Sequence, residues 1–375
     1  MSPSLSPNLS PNLSPCDQAL PYVRAISAYQ PGKPITQLAR EMGIPVERIV
    51  KLASNENPLG MSPKAKIALE AAVSTLERYP DDFELKAAVA AHTGLGRERI
   101  VLGNGSNDLL DIAARVFLAP GRSAIFSQHA FAVYPIASLT AGAELIAVPA
   151  RNFGHDLDAM RAAIRPDTRL IWIANPNNPT GTFLPFPQLE SFLRSLPRDV
   201  VVVLDEAYNE YLPADVNGDS KDWLGEFQNL VITRTFSKIY GLAGLRVGYA
   251  VTSEEIADLM NRVRQPFNCN NLALAAATAA LDDHEFIARS YQLNSAGMEQ
   301  LVAGFRQLGF DFIPSYGNFV TFKAGDAATV NEKLLRQGII VRPIAGYGMP
   351  EWLRVTIGIE ADNRRFLQAL ESARG

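Results

Sequence analysis

Lys238 sits in the stretch LVITRTFSKIYGLAGLRVGYAV, which runs from Leu230 to Val251. An apolar, β-branched run enters this stretch as a buried strand would, and a second strand-like run, Val247 to Val251, leaves it. Thr235 and Ser237 precede the lysine, and Arg246 follows it. A lysine after a strand is usually a solvated surface residue. This one is flanked by hydroxyls, an arginine and small Gly and Ala residues in an apolar neighbourhood. Hydroxyls and a guanidinium hold phosphate, while a desolvated amine forms a Schiff base with an aldehyde. The grouping suits a cofactor that carries both a phosphate and a carbonyl.

Other stretches offer chemistry after strand-like runs. GNGSN follows Ile100 to Leu102 and opens directly into a helical pattern. Free N–H groups and the positive dipole end at such a start bind anions, with Ser106 and Asn107 as donors. A plain strand-to-helix connection is the commoner meaning of such a turn. NPNNPTG, Asn175 to Gly181, exposes side-chain amides, and Asn178 is placed to donate to a phenolic oxygen; turn stability alone also accounts for most of this motif. DEAY closes another apolar strand. A carboxylate there, Asp205, needs a cationic or donor partner. A protonated pyridine nitrogen and a structural salt bridge both qualify. Tyr208 can donate to a ring oxygen, and Phe131 can stack on a flat ring or pack in the core. Tyr29 stands beside a turn, and KLASNENPLG, with Asn55, reads as a hinge or a site wall.

The composition narrows the function classes. Hydrophobic residues make up 47% and charged residues 20% of 375 positions, an ordinary globular balance with room for two cores. A net charge of -4 argues against nucleic acid as a partner. No apolar run is long enough to span a bilayer. Cys16 and Cys269 read as free thiols of a reducing, cytoplasmic compartment, and neither they nor the four scattered histidines form a metal-ligand pattern.

The elements alternate. Strands at 100–102, 123–127, 144–148, 169–174, 200–204 and 230–232 alternate with helices, among them Ala130 to Ala141 and Leu157 to Ile164. That pattern gives an α/β fold with a mostly parallel sheet flanked by helices, whose ligands collect beyond the carboxyl ends of the strands. Ser62 and Pro63 start a helix with an apolar side of Ile67, Leu69, Ala72, Val73 and Leu76. Long helices and short strands after Arg262, one of them over 339–342, read as a smaller α+β unit. The expected division is a disordered Ser/Pro-rich tail over 1–18, a segment over 19–60 that packs with the small unit, a large unit over 61–264 and a small unit over 265–375.

The ordered set GNGSN, NPNNPTG, DEAY and SK…GLAGLRVGY resembles the fold-type I pyridoxal-phosphate aminotransferases over nearly the whole chain after the tail. The resemblance implies Lys238 as the Schiff-base lysine and proton shuttle, with Asp205 on the pyridine nitrogen. It puts Asn178 and Tyr208 on the phenolic oxygen and Phe131 on the ring. Ser106, Asn107, Thr235, Ser237 and Arg246 would hold the phosphate of pyridoxal 5′-phosphate. ASNENPLG, RYPD and GIIVRPIAGYGMPEWLRVTIG bring the chain closer to the histidinol-phosphate aminotransferases. That resemblance implies a homodimer in which Tyr79 reaches the partner's cofactor phosphate. Tyr29, Asn55, Arg342 and Arg354 fall on the substrate side, the arginines binding phosphate or carboxylate through paired N–H donors. The chain departs from the pattern at Asn107, where an acid is common, and at SQHA before Phe131, where Pro-Thr is common. The implied reaction moves an amino group between L-histidinol phosphate and 2-oxoglutarate. The alternatives are an aromatic amino-acid aminotransferase, a decarboxylase on the same scaffold, and a non-catalytic sensor, which would need a DNA-binding module that the tail does not supply.

Overall fold

The computed structural model describes residues 14–216 and 218–374. Strand β1 (Val50–Lys51) is followed by seven strands that form one sheet: β2 (Ile100–Gly103), β3 (Ser123–Ser127), β4 (Glu144–Val148), β5 (Thr168–Ala174), β6 (Val201–Asp205), β7 (Leu230–Thr235) and β8 (Gly248–Val251). Their order is β2-β8-β7-β6-β5-β3-β4. β8 runs antiparallel to both its neighbours, and the other pairs are parallel. Successive side chains on a strand face opposite sides. Leu170, Trp172, Val201 and Val203 enter one core, while Ile171, Ile173, Val202 and Leu204 enter the other. Helices cover both faces of the central strands, which is why the runs Leu170–Ala174 and Val201–Leu204 carry no charged or hydroxyl side chain.

A second, antiparallel sheet forms near the C-terminus from β9 (Phe312–Ile313), β10 (Phe319–Lys323), β12 (Arg342–Pro343) and β13 (Trp352–Thr356), ordered β12-β13-β10-β9. β11 (Ile339–Ile340) leaves that sheet and pairs with β1 instead. The single strand expected over 339–342 is therefore split between two sheets. Phe305, Phe322 and Phe366 fill this core, Phe305 and Phe322 stacked 4.8 Å apart.

Several expectations need adjusting. Residues 1–13 of the expected tail lie outside the described residues. Within its last part, Pro15–Gln18 form a 3-10 turn whose start is capped by the Ser14 side chain. In the segment 19–60, Leu38, Ile49 and Ala53 pack with Ile340, but helix Pro21–Arg24 lies against helix Val133–Thr140 of the large sheet. Helix Asn271–Leu281 also joins the large-sheet core, so the packing changes over later than residue 265. The helix expected from Ala130 starts at Val133, which leaves Phe131 in the turn ahead of it. Ser62 does cap helix Pro63–Ala72, accepting the Ala65 N–H. The apolar side beyond it is not all core, since Ile67, Val73 and Leu76 are each at least half exposed.

Candidate active site

Parallel strands that end at one edge place their last residues around one crevice. Here β2, β5, β6 and β7 deliver Gly103, Ala174, Asp205 and Thr235 to that edge. Beyond it lies a cavity of about 250 Å3. Tyr29, Asn55, Ser106, Asn107, Phe131, Asn178, Asp205, Tyr208, Thr235, Ser237, Lys238, Arg246, Arg342 and Arg354 all line it. Of the expected site residues only Tyr79 lies elsewhere: it is 80% exposed and stacked on Phe267.

One end of the cavity is built for an anion. Gly105 has φ +84, and a Cβ there would lie 2.3 Å from an Arg246 guanidinium nitrogen. Glycine is therefore needed twice over, for the turn and for the close approach. Helix Ser106–Phe117 starts immediately after it, with its first N–H groups directed out of the helix end. Arg246 is itself left-handed, with φ 56, and its Nη1 donates to Ser237 Oγ at 3.3 Å and to the Ala243 carbonyl at 3.1 Å. The Thr235 hydroxyl accepts the Ser237 N–H at 3.1 Å.

Lys238 occupies the middle. Its Nζ donates to the Ser54 carbonyl at 3.3 Å and lies 5.7 Å from the centre of the Tyr208 ring. Burial, reinforced by Arg354 and Arg246, lowers its pKa to about 8. Asp205 is 5% exposed. It accepts the Tyr134 hydroxyl at 2.8 Å and the Thr233 hydroxyl at 3.2 Å. Burial raises its pKa to about 6 against the pull of those two donors. No ion pair satisfies it among the described residues. The Tyr208 hydroxyl accepts Asn55 Nδ2 at 2.8 Å, which leaves its proton free to point into the cavity. Burial pushes the Tyr208 pKa up to about 12.

The other end is cationic. Arg354 is 6% exposed and donates to Asn178 Oδ1 at 2.5 Å and to the Ala53 carbonyl at 2.9 Å, while its Nε is buried without a partner. Burial lowers its pKa. Arg342 Nη2 donates to the Gln30 carbonyl at 2.5 Å, and its guanidinium lies 5.6 Å from the centre of the Tyr29 ring. Neither arginine has a carboxylate partner among the described residues. A buried guanidinium without a counter-ion, as at Arg354, is costly, so this end, with the half-buried Arg342 beside it, is prepared for an anion that arrives with the ligand.

Sequence reading missed two contributors. Tyr134 stacks on Trp172 at 5.2 Å and holds Asp205. No local motif signalled it, because Asp205 lies 71 positions along the chain. Tyr347 lines the cationic end, and the GYG motif that contains it was the signal there. Asn55 was placed on the substrate side. It lines the cavity, and its side-chain amide donates to the Tyr208 hydroxyl and accepts the Thr356 hydroxyl.

A family model described as aminotransferase class I and II matches residues 47–370. Histidinol-phosphate aminotransferase 1 of Dechloromonas aromatica is 72% identical over 95% of this chain and 99% of its own length. Histidinol-phosphate aminotransferase 2 of Nitrosospira multiformis is 59% identical over 96% and 92%. Among solved structures, histidinol-phosphate aminotransferase from Sinorhizobium meliloti, in complex with pyridoxal 5′-phosphate, superposes with a TM-score of 0.87 at 26% identity, covering 95% of this chain and 97% of that one. Aspartate aminotransferase from Thermus thermophilus with maleate shares the fold, with a TM-score of 0.79 at 22% identity over 91% and 97%.

Proposed function

Because this chain belongs to the class I and II aminotransferases, and among them to the histidinol-phosphate aminotransferases, we propose that it transfers an amino group from L-histidinol phosphate to 2-oxoglutarate or in reverse. The products in the first direction are imidazole acetol phosphate and L-glutamate, a step of histidine biosynthesis. The observation that carries this reading is a half-buried lysine between two anion sites, one at Gly105–Asn107 and Arg246, the other at Arg342 and Arg354. The first fits the phosphate of a cofactor. The second fits the part that the substrates share, a terminal anion.

The residues fit pyridoxal 5′-phosphate. Asp205 is a buried carboxylate with hydroxyl donors and no cation, which a protonated pyridine nitrogen would supply. The Gly105 cradle has no room for a side chain. When bound, the cofactor supplies an aldehyde and an electron-accepting ring. Asp205 then keeps the ring nitrogen protonated. Tyr208, with its pKa pushed up, stays protonated and donates to the phenolic oxygen, and Asn178 donates beside it. Phe131, braced edge-on by Tyr134 at 5.8 Å, offers its face to the ring. Lys238 Nζ, with its pKa lowered to about 8 and so partly uncharged near that pH, would take up and return the proton of the amine-bearing carbon. Arg354 and Arg342 hold the carboxylate of glutamate or the phosphate of histidinol phosphate through N–H donors.

The second copy belongs to the same proposal. Ile67, Val73, Leu76, Tyr79 and Phe267 are exposed apolar side chains along one helix and its neighbouring loop. A homodimer would cover them and bring Tyr79 to the partner's cofactor phosphate. Among the described residues no helix is long and apolar enough to cross a membrane, and we place the enzyme in the cytoplasm. Lys238→Ala is the test of the whole assignment. Glutamate formation from histidinol phosphate and 2-oxoglutarate should fall to background, and near-normal turnover would refute the role of the lysine.

A further inference from the structure

The turn that opens helix Ser106–Phe117 is not held by its own residues alone. Asp108 Oδ2 accepts the Asn104 N–H at 2.9 Å. The same oxygen accepts Asn268 Nδ2 at 2.7 Å, and Asn268 Nδ2 also donates to the Leu102 carbonyl at 3.1 Å. Asn268 thus grips the strand that enters the turn and the helix that leaves it. It comes from a loop 160 positions along the chain from Asp108 and does not line the cavity.

Asn268 is itself anchored. Its amide oxygen accepts Arg264 Nη1 at 3.2 Å, and Arg264 Nη1 also meets Asp82 Oδ2 at 3.0 Å. Asn271 Nδ2 donates to the Arg78 carbonyl at 3.0 Å. Between them Phe267 adopts φ +56, rare for a bulky residue and kept only where the surroundings enforce it. Its ring stacks on Tyr79 at 4.6 Å. The strained residue lets the loop put one side chain on the exposed Tyr79 and the next into the anion turn.

We propose that Asn268 is a positioning residue for phosphate binding. It fixes the Gly103–Asp108 turn so that the N–H groups of Ser106 and Asn107 converge on one anion, while touching no ligand itself. The proposal rests on the reading of that turn as the cofactor's phosphate site.

The test titrates cofactor-free protein with pyridoxal 5′-phosphate and with pyridoxal, which lacks the phosphate, following absorbance. Asn268→Ala should bind the phosphorylated aldehyde about tenfold more weakly, the scale of a hydrogen bond to a charged group, with pyridoxal changed less than about twofold. Arg264→Ala, which removes only the outer anchor, should show the same selectivity with a smaller loss. It also serves if Asn268→Ala does not fold. The stabilisation that inorganic phosphate gives the cofactor-free protein in a thermal melt should shrink in parallel. Equal weakening for both aldehydes, or no weakening for either, overturns the proposal. Arg246→Ala separates this from the reading beneath it. If that variant keeps the full preference for the phosphorylated aldehyde, the phosphate site is misplaced. If it loses the preference and Asn268→Ala keeps it, only the positioning role fails.

Discussion

Asp205 shows what a functional side chain costs the protein that carries it. Its pKa is raised from 3.8 to about 6 because burial disfavours the charged form more than Tyr134 and Thr233 favour it. The folded state therefore binds this proton more tightly than the unfolded chain does. Stability from the group is complete below about pH 4 and is lost as pH rises through about 6. In the cofactor-free protein, Asp205→Asn should raise the melting temperature at pH 7 to 8, with the gain fading below pH 4. The same variant, loaded with cofactor, should lose about 10²–10³-fold in kcat, because a neutral amide does not hold the ring nitrogen's proton. A cofactor-free variant less stable than the parent at pH 8 would contradict the account. Arg354 carries the complementary prediction. Arg354→Lys keeps a charge but loses the fork that reaches Asn178, the Ala53 carbonyl and an incoming anion together. Its kcat/KM should fall about 10²-fold for histidinol phosphate and for glutamate alike, measured in steady-state assays. The place of these two residues at the cavity was legible in the sequence because each sits in a local motif, DEAY or LRVTIG. Tyr134 was not, since its partner Asp205 lies 71 positions away and only the folded sheet joins them.

At the scale of elements, the site depends on strand ends and the turns that follow them. The apolar, β-branched runs made β5, β6 and β7 readable, and the polar residues at or just past their ends, Asn175, Asp205 and Thr235, marked the edge where ligands gather. The Gly103–Asn107 turn is tightly constrained. Gly105→Ala would force a Cβ against the Arg246 guanidinium in a backbone region that side chains disfavour. It should weaken pyridoxal 5′-phosphate binding by at least about tenfold, measured by cofactor titration, while helix Ser106–Phe117 persists. Unchanged affinity would show that the turn does not approach the phosphate. Element boundaries were less legible where tertiary contacts decide them. The strand expected over 339–342 is cut in two because Ile339 and Ile340 pair with β1, a partner nearly three hundred positions earlier. Helix Asn271–Leu281 joined the large core because its alanine-rich face fits closely against helix Pro63–Ala72, which no local pattern announces.

Over the whole molecule, the apolar side of the 63–76 region was legible as apolar but not in its destination. Periodicity marks a surface to be covered and does not say whether the same chain or a second copy covers it. Leu69 packs on the core, whereas Ile67, Val73 and Leu76 face outward with Tyr79. In the homodimer proposed above, Ile67→Glu should give monomers in sedimentation and lower cofactor affinity as Tyr79 is withdrawn; a stable, fully active dimer would contradict an interface on this face. The central claim, however, concerns the substrate, and the two-ended cavity states it: one anion site for the cofactor and one for the amino donor or acceptor. The most direct measurement is glutamate formation by the cofactor-loaded protein from 2-oxoglutarate, with L-histidinol phosphate and with L-phenylalanine as donors over a concentration series. The account predicts a kcat/KM for histidinol phosphate at least about tenfold higher, since the donor's phosphate meets Arg342 and Arg354 together. Equal or higher efficiency with phenylalanine would contradict it and make the protein an aromatic amino-acid aminotransferase.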